Sequence, residues 1–268
     1  MSKVLITESI LSGIADAIRE KDGSTAKITP ANMATQIANI PTGGGTDDVA
    51  AAIVSRTVTE YESQSVKSVG IRAFSYCSSL TSISLPVCTS MGEYAFNYCS
   101  SLTSVSLPAC TSVGKYALCY CSSLTSIDLS ECTSVGEYAF YYCSSLTSIS
   151  LPVCTSMGEY VFNHCSSLTS VSLPACTSVG SNTFSLCYSL TSVSLPACTS
   201  VGYYAFGYCS NLTSISLPVC TSVGRDAFGQ CSKLTEIHFA AANQSKIEAS
   251  SSYSSKWGAS NATIYFDL

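Results

Sequence analysis

The cysteines of this chain recur with a fixed spacing, and that spacing is the strongest constraint on the fold. Eight cysteines follow one another at steps of 22 residues, and seven others form a second series with the same step. A fixed period in the twenties is typical of a solenoid, in which each repeat forms one coil and contacts only its neighbours. The two series are Cys77, Cys99, Cys121, Cys143, Cys165, Cys187, Cys209 and Cys231, and Cys88, Cys110, Cys132, Cys154, Cys176, Cys198 and Cys220.

The repeating unit contains a strand, a corner and a third segment. In the copy LTSISLPVC, the stretch I-S-L alternates apolar and polar residues as a half-buried strand does, and Pro86 ends it. Gly92, present in every later repeat, indicates a turn that needs positive φ or a close approach of two coils. Ala95, Phe96 and Cys99 have the spacing of one face of a short helix.

Stacking of these units is required for stability. Ordering one residue costs roughly 1–2 kcal/mol, whereas each buried apolar side chain returns only about 1.5–3 kcal/mol, so a single repeat does not fold alone. We therefore predict an α/β repeat fold. It is a solenoid of about eight 22-residue coils, each a short strand plus a helical turn, preceded by a small N-terminal helical segment.

The stacked cysteines are interpreted as buried ladders of small apolar side chains. Disulfides between coils are a weaker alternative, because side chains that point in parallel have the wrong relative direction. Metal binding is weaker still, because no C-x-x-C pair occurs and His164 and His238 are isolated, so no metal or cofactor is expected. Cys119 lies outside both series, and we expect it at an outward-facing position.

The chain divides into five predicted regions. The first has two short apolar helical faces and is interpreted as a docking or oligomerisation segment, the alternative being a helical hairpin folded against the solenoid end. Trp257 is expected to cover the exposed end of the core. The regions are a helical segment at 1–42, a Gly-rich linker at 43–46, an N-terminal cap with a degenerate first coil at 47–70, the repeats at 71–240 and a C-terminal cap at 241–268.

Composition argues against several classes of function. Charged residues make up 11% of the chain, the net charge is −5 and no basic cluster occurs, so we expect no nucleic-acid partner. No apolar run approaches the ~20 residues that span a membrane, and the N-terminus lacks the continuous apolar stretch of a signal peptide. No Ser-His-Asp set or carboxylate pair has a supporting motif, so we predict no enzymatic activity.

Two kinds of surface row follow from the repeat. Ser82, Ser84 and their copies face away from the core and are interpreted as a polar face satisfied by water and neighbours. Tyrosines recur at two positions after the glycine, and their rings and hydroxyls suit protein surfaces or sugar rings. In the alternative, each ring packs between coils and leaves only its hydroxyl in water. The candidate ligand-binding residues are Tyr94, Tyr98, Tyr116, Tyr120, Tyr138, Tyr142, Tyr160, Tyr204 and Tyr208.

The unit LTSISLPVCTSMGEYAFNYCSS resembles the BspA-like (Treponema-type) leucine-rich repeat. That repeat has an L-x-x-I-x-L-P strand and a V-x-x-I-G-x-x-A-F-x-x-C tail, and the resemblance covers roughly residues 58–240. The repeat here has 22 residues where 23 are common. The resemblance implies a leucine-rich-repeat solenoid and a role in surface attachment without catalysis.

The N-terminal stretch ITESILSGIADAIREKDGSTAKITPANMATQIANI resembles a segment at the start of many tail-associated proteins of phages and prophages of Gram-positive gut bacteria. This implies a virion tail location after synthesis in the bacterial cytoplasm. It also implies contacts with other tail or surface proteins through residues 1–42, and a homo-oligomer is compatible with it.

The sequence thus favours a non-enzymatic recognition protein. The first hypothesis is a phage or prophage tail-associated attachment protein whose repeat surface binds a host surface glycan or protein. One alternative is a BspA-like adhesin on the bacterial cell surface, and another is a structural spacer without a ligand.

Overall fold

The computed structural model describes Arg56 and residues 58–268, which form a parallel β-solenoid of about eight coils. The predicted helical segment 1–42 and linker 43–46 lie outside the described residues, as does the first part of the predicted cap 47–70. Within the described part, no helix is both long and apolar enough to cross a membrane.

Each coil contributes one longer strand to a first parallel stack. The longer strands are β1 (Glu60–Glu62), β3 (Ser82–Ser84), β5 (Ser104–Ser106), β7 (Ser126–Asp128), β9 (Ser148–Ser150), β11 (Ser170–Ser172), β13 (Ser192–Ser194), β15 (Ser214–Leu217), β17 (Glu236–Phe239) and β18 (Thr263–Phe266). Strands β1, β3, β5 and β7 are hydrogen-bonded neighbours in that order, as are β9, β11 and β13, and then β15, β17 and β18.

A second stack is built from two-residue strands just after the corner. These strands are β2 (Ser68–Val69), β4 (Ser90–Met91), β6 (Ser112–Val113), β8 (Ser134–Val135), β10 (Ser156–Met157), β12 (Ser178–Val179), β14 (Ser200–Val201) and β16 (Ser222–Val223). Their single apolar residue is buried in every coil, so this stack also lines the core.

The register is set by the 22-residue period, so equivalent residues lie directly above one another. Ser82 pairs with Ser104 and Ile83 with Val105. The middle residue of each three-residue strand points inward, as the I-S-L alternation predicts, and the flanking serines face out. Each position of the repeat is therefore a column that runs along the solenoid axis.

Threonine columns reinforce the stacking at the edges of the strands. The Thr103 hydroxyl donates to the Thr81 carbonyl oxygen over 3.0 Å, and the Thr111 hydroxyl donates to the Thr89 carbonyl oxygen over 3.0 Å. A hydrogen bond of this kind contributes roughly 0.5–1.5 kcal/mol, and it recurs from coil to coil. The threonines of the L-T-S and C-T-S stretches thus link each coil to the one before it.

The predicted helical turn in each coil is wrong, because the third segment is a series of consecutive β-turns. The Ala95 N–H donates to the Gly92 carbonyl, and the Cys99 N–H donates to the Phe96 carbonyl, three residues back in each case. The amides between them point along the solenoid axis: the Phe96 N–H donates to the Ala117 carbonyl of the next coil over 2.7 Å. An α-helix would send each of these amides four residues back within its own segment.

Little helix is present in the described residues. The helix α1 (Gln244–Glu248) and two 3₁₀ segments (Ala241–Asn243 and Lys256–Gly258) all follow the last coil. Ala95, Phe96 and Cys99 are nevertheless fully buried, as the sequence predicts, whereas Tyr98 between them is exposed. The predicted spacing of buried residues is confirmed, whereas the helical backbone predicted to carry them is wrong.

Glycine is required where adjacent coils approach one another. A Cβ atom added to Gly114 would lie 2.6 Å from the carbonyl carbon of Gly92, and one added to Gly158 would lie 2.5 Å from the amide nitrogen of Glu137. Neither glycine has a positive φ. Of the two reasons that the sequence offered for this glycine, close approach is therefore the correct one.

The cysteine columns lie in the core, as predicted, and all sixteen cysteines are free thiols. They are not merely apolar fillers. The Cys99 thiol donates to the Phe74 carbonyl of the preceding coil over 3.0 Å, and the Cys88 thiol donates to the Ser90 carbonyl over 3.3 Å. Burial raises the pKa of Cys110 to about 11 and that of Cys132 to about 12, which keeps these thiols protonated and unreactive.

The C-terminal residues close the last coil. Trp257 is fully buried and packs edge-on against Phe239, with the ring centroids 5.7 Å apart. Its carbonyl oxygen accepts a hydrogen bond from the Phe228 N–H over 2.9 Å. In the other coils, a carbonyl oxygen of the next coil accepts the equivalent bond. Strand β18 pairs with β17 in parallel and extends the first stack by one strand.

Candidate functional site

The tyrosine rows of the sequence form two columns on the β-turn side of the solenoid. We call them the first and second tyrosine columns, after their order in each coil. The first column is Arg72, Tyr94, Tyr116, Tyr138, Tyr160, Asn182, Tyr204 and Asp226. The second column is Tyr76, Tyr98, Tyr120, Tyr142, His164, Leu186, Tyr208 and Gln230.

Every residue of both columns has a positive φ, between 52° and 65°. The reason is local: in most coils each is the third residue of a β-turn whose fourth amide bonds back to the first carbonyl, a position that favours glycine or asparagine. A residue with a Cβ atom in this left-handed region costs roughly 1–2 kcal/mol. The backbone therefore does not explain why tyrosine occupies so many of these positions.

The rings of each column stack on one another with the spacing of the coils. In the first column, the ring centroids of Tyr116 and Tyr138 lie 4.7 Å apart with planes 9° from parallel. In the second column, Tyr98 and Tyr120 lie 4.4 Å apart, and His164 continues the stack 4.0 Å from Tyr142. Each stacked pair contributes about 0.5–1.5 kcal/mol, so a ring with two neighbours roughly offsets the strain of its own backbone.

Stacking determines which part of each tyrosine meets solvent. Because neighbours cover both faces of a ring within a column, the ring edge and hydroxyl form the accessible surface. An arginine covers the first face of each stack: the Arg72 guanidinium lies 5.1 Å from the Tyr94 ring centroid, and that of Arg56 lies 5.1 Å from the Tyr76 centroid. The columns therefore present phenol edges and hydroxyls.

A third column lies between the two tyrosine columns and is mostly buried. Asn97 is 7% exposed and Cys119 4% exposed, so the expectation that Cys119 faces outward is wrong. Burial raises the Cys119 pKa to about 12. A variable residue flanked by exposed ones suggested the surface, but the tyrosine rings on either side cover it. The Asn97 Oδ1 atom is buried there without a hydrogen-bond partner.

Tyr141 is the exception in this middle column, and its ring joins the two tyrosine columns. It makes edge contacts with Tyr138 (5.5 Å between centroids) and with Tyr142 (4.8 Å). It also contacts Tyr120 at 5.7 Å and His164 at 5.9 Å. Sequence reasoning missed Tyr141, although it is the one aromatic residue at a position that otherwise holds Ser, Asn, Cys or Gly.

The site is close to neutral. Burial raises the pKa of Tyr98, Tyr116 and Tyr138, so their hydroxyls stay protonated and can both donate and accept hydrogen bonds. Beside the first column, Lys115 forms an ion pair with Glu137. In the described residues no group of three or more His, Cys, Asp or Glu side chains is arranged to hold a metal ion.

The structure separates the nine predicted tyrosines into two groups. Seven of them belong to the continuous stacks, whereas Tyr204 and Tyr208 stand apart because Asn182 and Leu186 interrupt both columns. The Tyr204 ring turns towards Gly207, where an added Cβ atom would lie 2.2 Å from its Cδ1. We call the continuous set the tyrosine patch; it comprises Tyr76, Tyr94, Tyr98, Tyr116, Tyr120, Tyr138, Tyr141, Tyr142, Tyr160 and His164.

The fold and its repeat define a class, the bacterial leucine-rich-repeat solenoids. The family model described as BspA type leucine rich repeat region (6 copies) matches residues 57–154 and 133–257. The chain belongs to this family. No protein with a curated function matches it.

Solved structures of other bacterial repeat proteins are similar. The leucine-rich repeat protein TpLRR of T. pallidum is 26% identical over 65% of this chain and 77% of that chain, with a TM-score of 0.52. A leucine rich cell surface protein from Faecalibacterium prausnitzii is 17% identical over 78% of each chain, with a TM-score of 0.35. A leucine-rich repeat protein from Bacteroides ovatus is 20% identical over 80% of this chain and 85% of that chain, with a TM-score of 0.32.

Proposed function

We propose that this chain is a non-enzymatic recognition protein that binds a surface partner through the tyrosine patch. The observation that carries the proposal is the occupancy of the left-handed β-turn positions. Glycine or asparagine would relieve the backbone there, and Asn182 shows that the fold accepts asparagine. Strain that persists in a folded protein clusters at functional positions, where side-chain identity matters more than backbone ease.

The chemistry of the patch supports recognition. Tyrosine provides a large, rigid contact with a hydroxyl at low entropy cost, and it is enriched at interface positions that dominate binding energy. The rings are already stacked before a partner arrives, so little further ordering is needed on binding. Tyr138, Tyr141 and Tyr142 form the densest part of the patch and are its expected centre.

Family membership supports a role in surface attachment, since leucine-rich-repeat solenoids are typical of binding proteins. The partner is a host surface glycan or protein. The location proposed first from the sequence is a phage or prophage tail, with residues 1–42 docking to other tail proteins. That part rests on the N-terminal resemblance alone, and the competing location is the bacterial cell surface.

Binding of the labelled full-length chain to intact Gram-positive gut bacteria tests the proposal. The expected result is saturable binding that unlabelled chain displaces. Replacing Tyr98, Tyr120 and Tyr142 by Ser weakens it, whereas replacing Ser148, Ser170 and Ser192 on the strand face by Ala leaves it unchanged. Equal binding by both triple variants would move recognition away from the tyrosine patch. Absence of binding across a broad panel of cells would favour a structural spacer.

A further inference from the structure

The stacked geometry of the tyrosine patch restricts how a ligand can bind to it. Aromatic residues in sugar-binding sites are usually useful because a sugar ring lies flat on an open aromatic face. Here the faces are covered by the rings above and below, at 4.7 Å for both the Tyr116–Tyr138 and the Tyr138–Tyr160 pairs. A ligand therefore meets a ridge of ring edges and hydroxyls, and it bonds mainly through polar groups.

The ridge has a fixed period along a single direction. Consecutive ring centroids are 4.0–5.0 Å apart in the second column, over five rings from Tyr76 to His164. A ligand that uses several rings at once must offer one polar group at each such step. An extended peptide lying along the axis advances about 3.3–3.4 Å per residue, with side chains on one face at twice that distance, so it falls out of step. Consecutive units of an extended β-1,4-linked hexopyranose chain alternate in orientation, but each unit is close in length to one coil and carries hydroxyls on both edges, so the chain can offer one polar group to each coil.

The charge of the patch narrows the choice further. Its phenols are neutral, and the raised pKa values of Tyr120 and Tyr141 keep them so. Lys115 is already paired with Glu137, and Glu159 accepts a hydrogen bond from the Ser181 hydroxyl over 3.2 Å. Arg56 and Arg72 lie only against the end rings of the two stacks, so cationic groups do not continue along the patch as a row that would favour a polyanionic polymer.

We infer that the tyrosine patch binds a neutral, extended β-1,4-linked glycan that lies along the solenoid axis, with one sugar unit to each coil. Tyr141 stands between the two columns and contacts the chain at its centre. The inference rests on the proposed function, because it names the ligand class of the same site. Contacts accumulate coil by coil, so affinity depends on glycan length.

Calorimetric titration of the full-length chain with cello- and chito-oligosaccharides tests this, from disaccharide to octasaccharide. The affinity of at least one series is expected to rise with length and to level off at five units, the number of stacked rings in the second column. Malto-oligosaccharides, whose α-1,4 linkage curves the chain, and polygalacturonate, which is anionic, are expected to bind much more weakly.

The matched variant is Tyr141→Asn. Asparagine already stands at the equivalent position of two other coils, as Asn97 and Asn163. The variant is expected to weaken pentasaccharide binding by about tenfold while thermal unfolding shows a folded chain. Tyr265→Ser, on the strand face, is expected to leave binding unchanged.

Affinity that does not change beyond a disaccharide, or equal affinity for malto-oligosaccharides, would overturn the inference. If no oligosaccharide binds but intact cells still bind through the tyrosine patch, the partner is a protein, and the proposed function stands without the glycan. Concentration-dependent self-association that Tyr141→Asn abolishes would instead assign the patch to a second copy of the chain.

Discussion

Two neighbouring columns of the solenoid obey opposite rules. The glycine after the second strand has no positive φ, yet every repeat keeps it because a Cβ atom would meet the backbone of the preceding coil. Two residues later the backbone does adopt a positive φ, of 55° at Tyr94 and 56° at Tyr116, yet the chain places tyrosine there. Glycine thus occurs where a Cβ atom would clash with the neighbouring coil, and it does not occur where a positive φ would favour it.

The difference shows which columns the fold dictates. Sterics alone fix the glycine column, so its residues report on the distance between coils. The tyrosine columns are fixed by their side chains, through stacking and through whatever they bind. The stability predictions below test the two halves of this contrast, and they are arranged from the largest expected effect to the smallest.

The glycine half predicts a large, position-dependent loss of stability. In Gly158→Ala the new Cβ lies 2.5 Å from the Glu137 nitrogen, so the two coils must separate, and we expect the free energy of unfolding to fall by about 3 kcal/mol. In Gly180→Ala the closest contact is 3.1 Å, to the Gly158 carbonyl oxygen, and we expect a loss of about 1 kcal/mol. Urea unfolding of the two variants measures the difference, and equal losses would mean that coil contact does not govern this column.

The tyrosine half predicts a smaller loss when a stacked ring is removed. Tyr138→Asn loses the stacking with Tyr116 and Tyr160, about 0.5–1.5 kcal/mol for each pair. It also relieves up to about 1 kcal/mol of backbone strain, because asparagine tolerates a positive φ better than tyrosine does. We expect a net loss of about 1 kcal/mol in urea unfolding.

Asp226→Asn is the matched control for that substitution. It lies in the same column at φ 53° but outside the stack, so we expect a change of no more than about 0.5 kcal/mol. A Tyr138→Asn variant as stable as the parent would show that stacking does not offset the strain.

Much of this architecture is readable from the sequence. The 22-residue period, the alternating I-S-L strand and the inward cysteine columns all depend on side-chain burial, which repeats visibly in the letters. The helical turn is not readable, because the spacing of Ala95, Phe96 and Cys99 is the same for a helical turn and for consecutive β-turns. The two structures differ in the acceptor of the Phe96 N–H, which here is a carbonyl oxygen of another coil.

The candidate site is readable only in part. The tyrosine rows appear in the sequence, but positive φ is signalled there by glycine or asparagine, and tyrosine gives no such signal. The burial of Cys119 and the bridging role of Tyr141 depend on how flanking rings lie over the middle column. Those orientations follow from the left-handed turn positions, so they could not be inferred before the backbone was known.

The two histidines extend the contrast to pH, with the smallest expected effects. His164 lies in the second tyrosine column, and burial lowers its pKa below the ordinary value of 6.5. Folding therefore disfavours its protonation, and its contribution to stability is lost as pH falls through 6.5. Tyrosine stands at the equivalent position three coils earlier, as Tyr98. We therefore expect the His164→Tyr variant to be more stable than the parent chain at low pH.

His238 lies in a strand column and is expected to behave in the opposite way. Its hydrogen bond with Asp267, aided by Glu236, raises its pKa. The stabilisation is fully present below pH 6.5 and is lost as pH rises through the higher folded-state pKa. His238→Ser, the residue at Ser216, is expected to lose stability mainly at low pH. If the free energy of unfolding of each variant changes with pH between about pH 5 and pH 8 in the same way as that of the parent chain, both assignments are contradicted.

The central claim is that the tyrosine patch is the surface that meets the partner, and tyrosine-directed footprinting tests it most directly. Tyr98 and Tyr265 are equally exposed in the free chain, at 38% and 37%, and they lie on different faces. We expect nitration of both in the free chain, and protection of Tyr98 but not of Tyr265 when the chain is bound to cells. Equal nitration of Tyr98 in the free and bound chain would contradict the account.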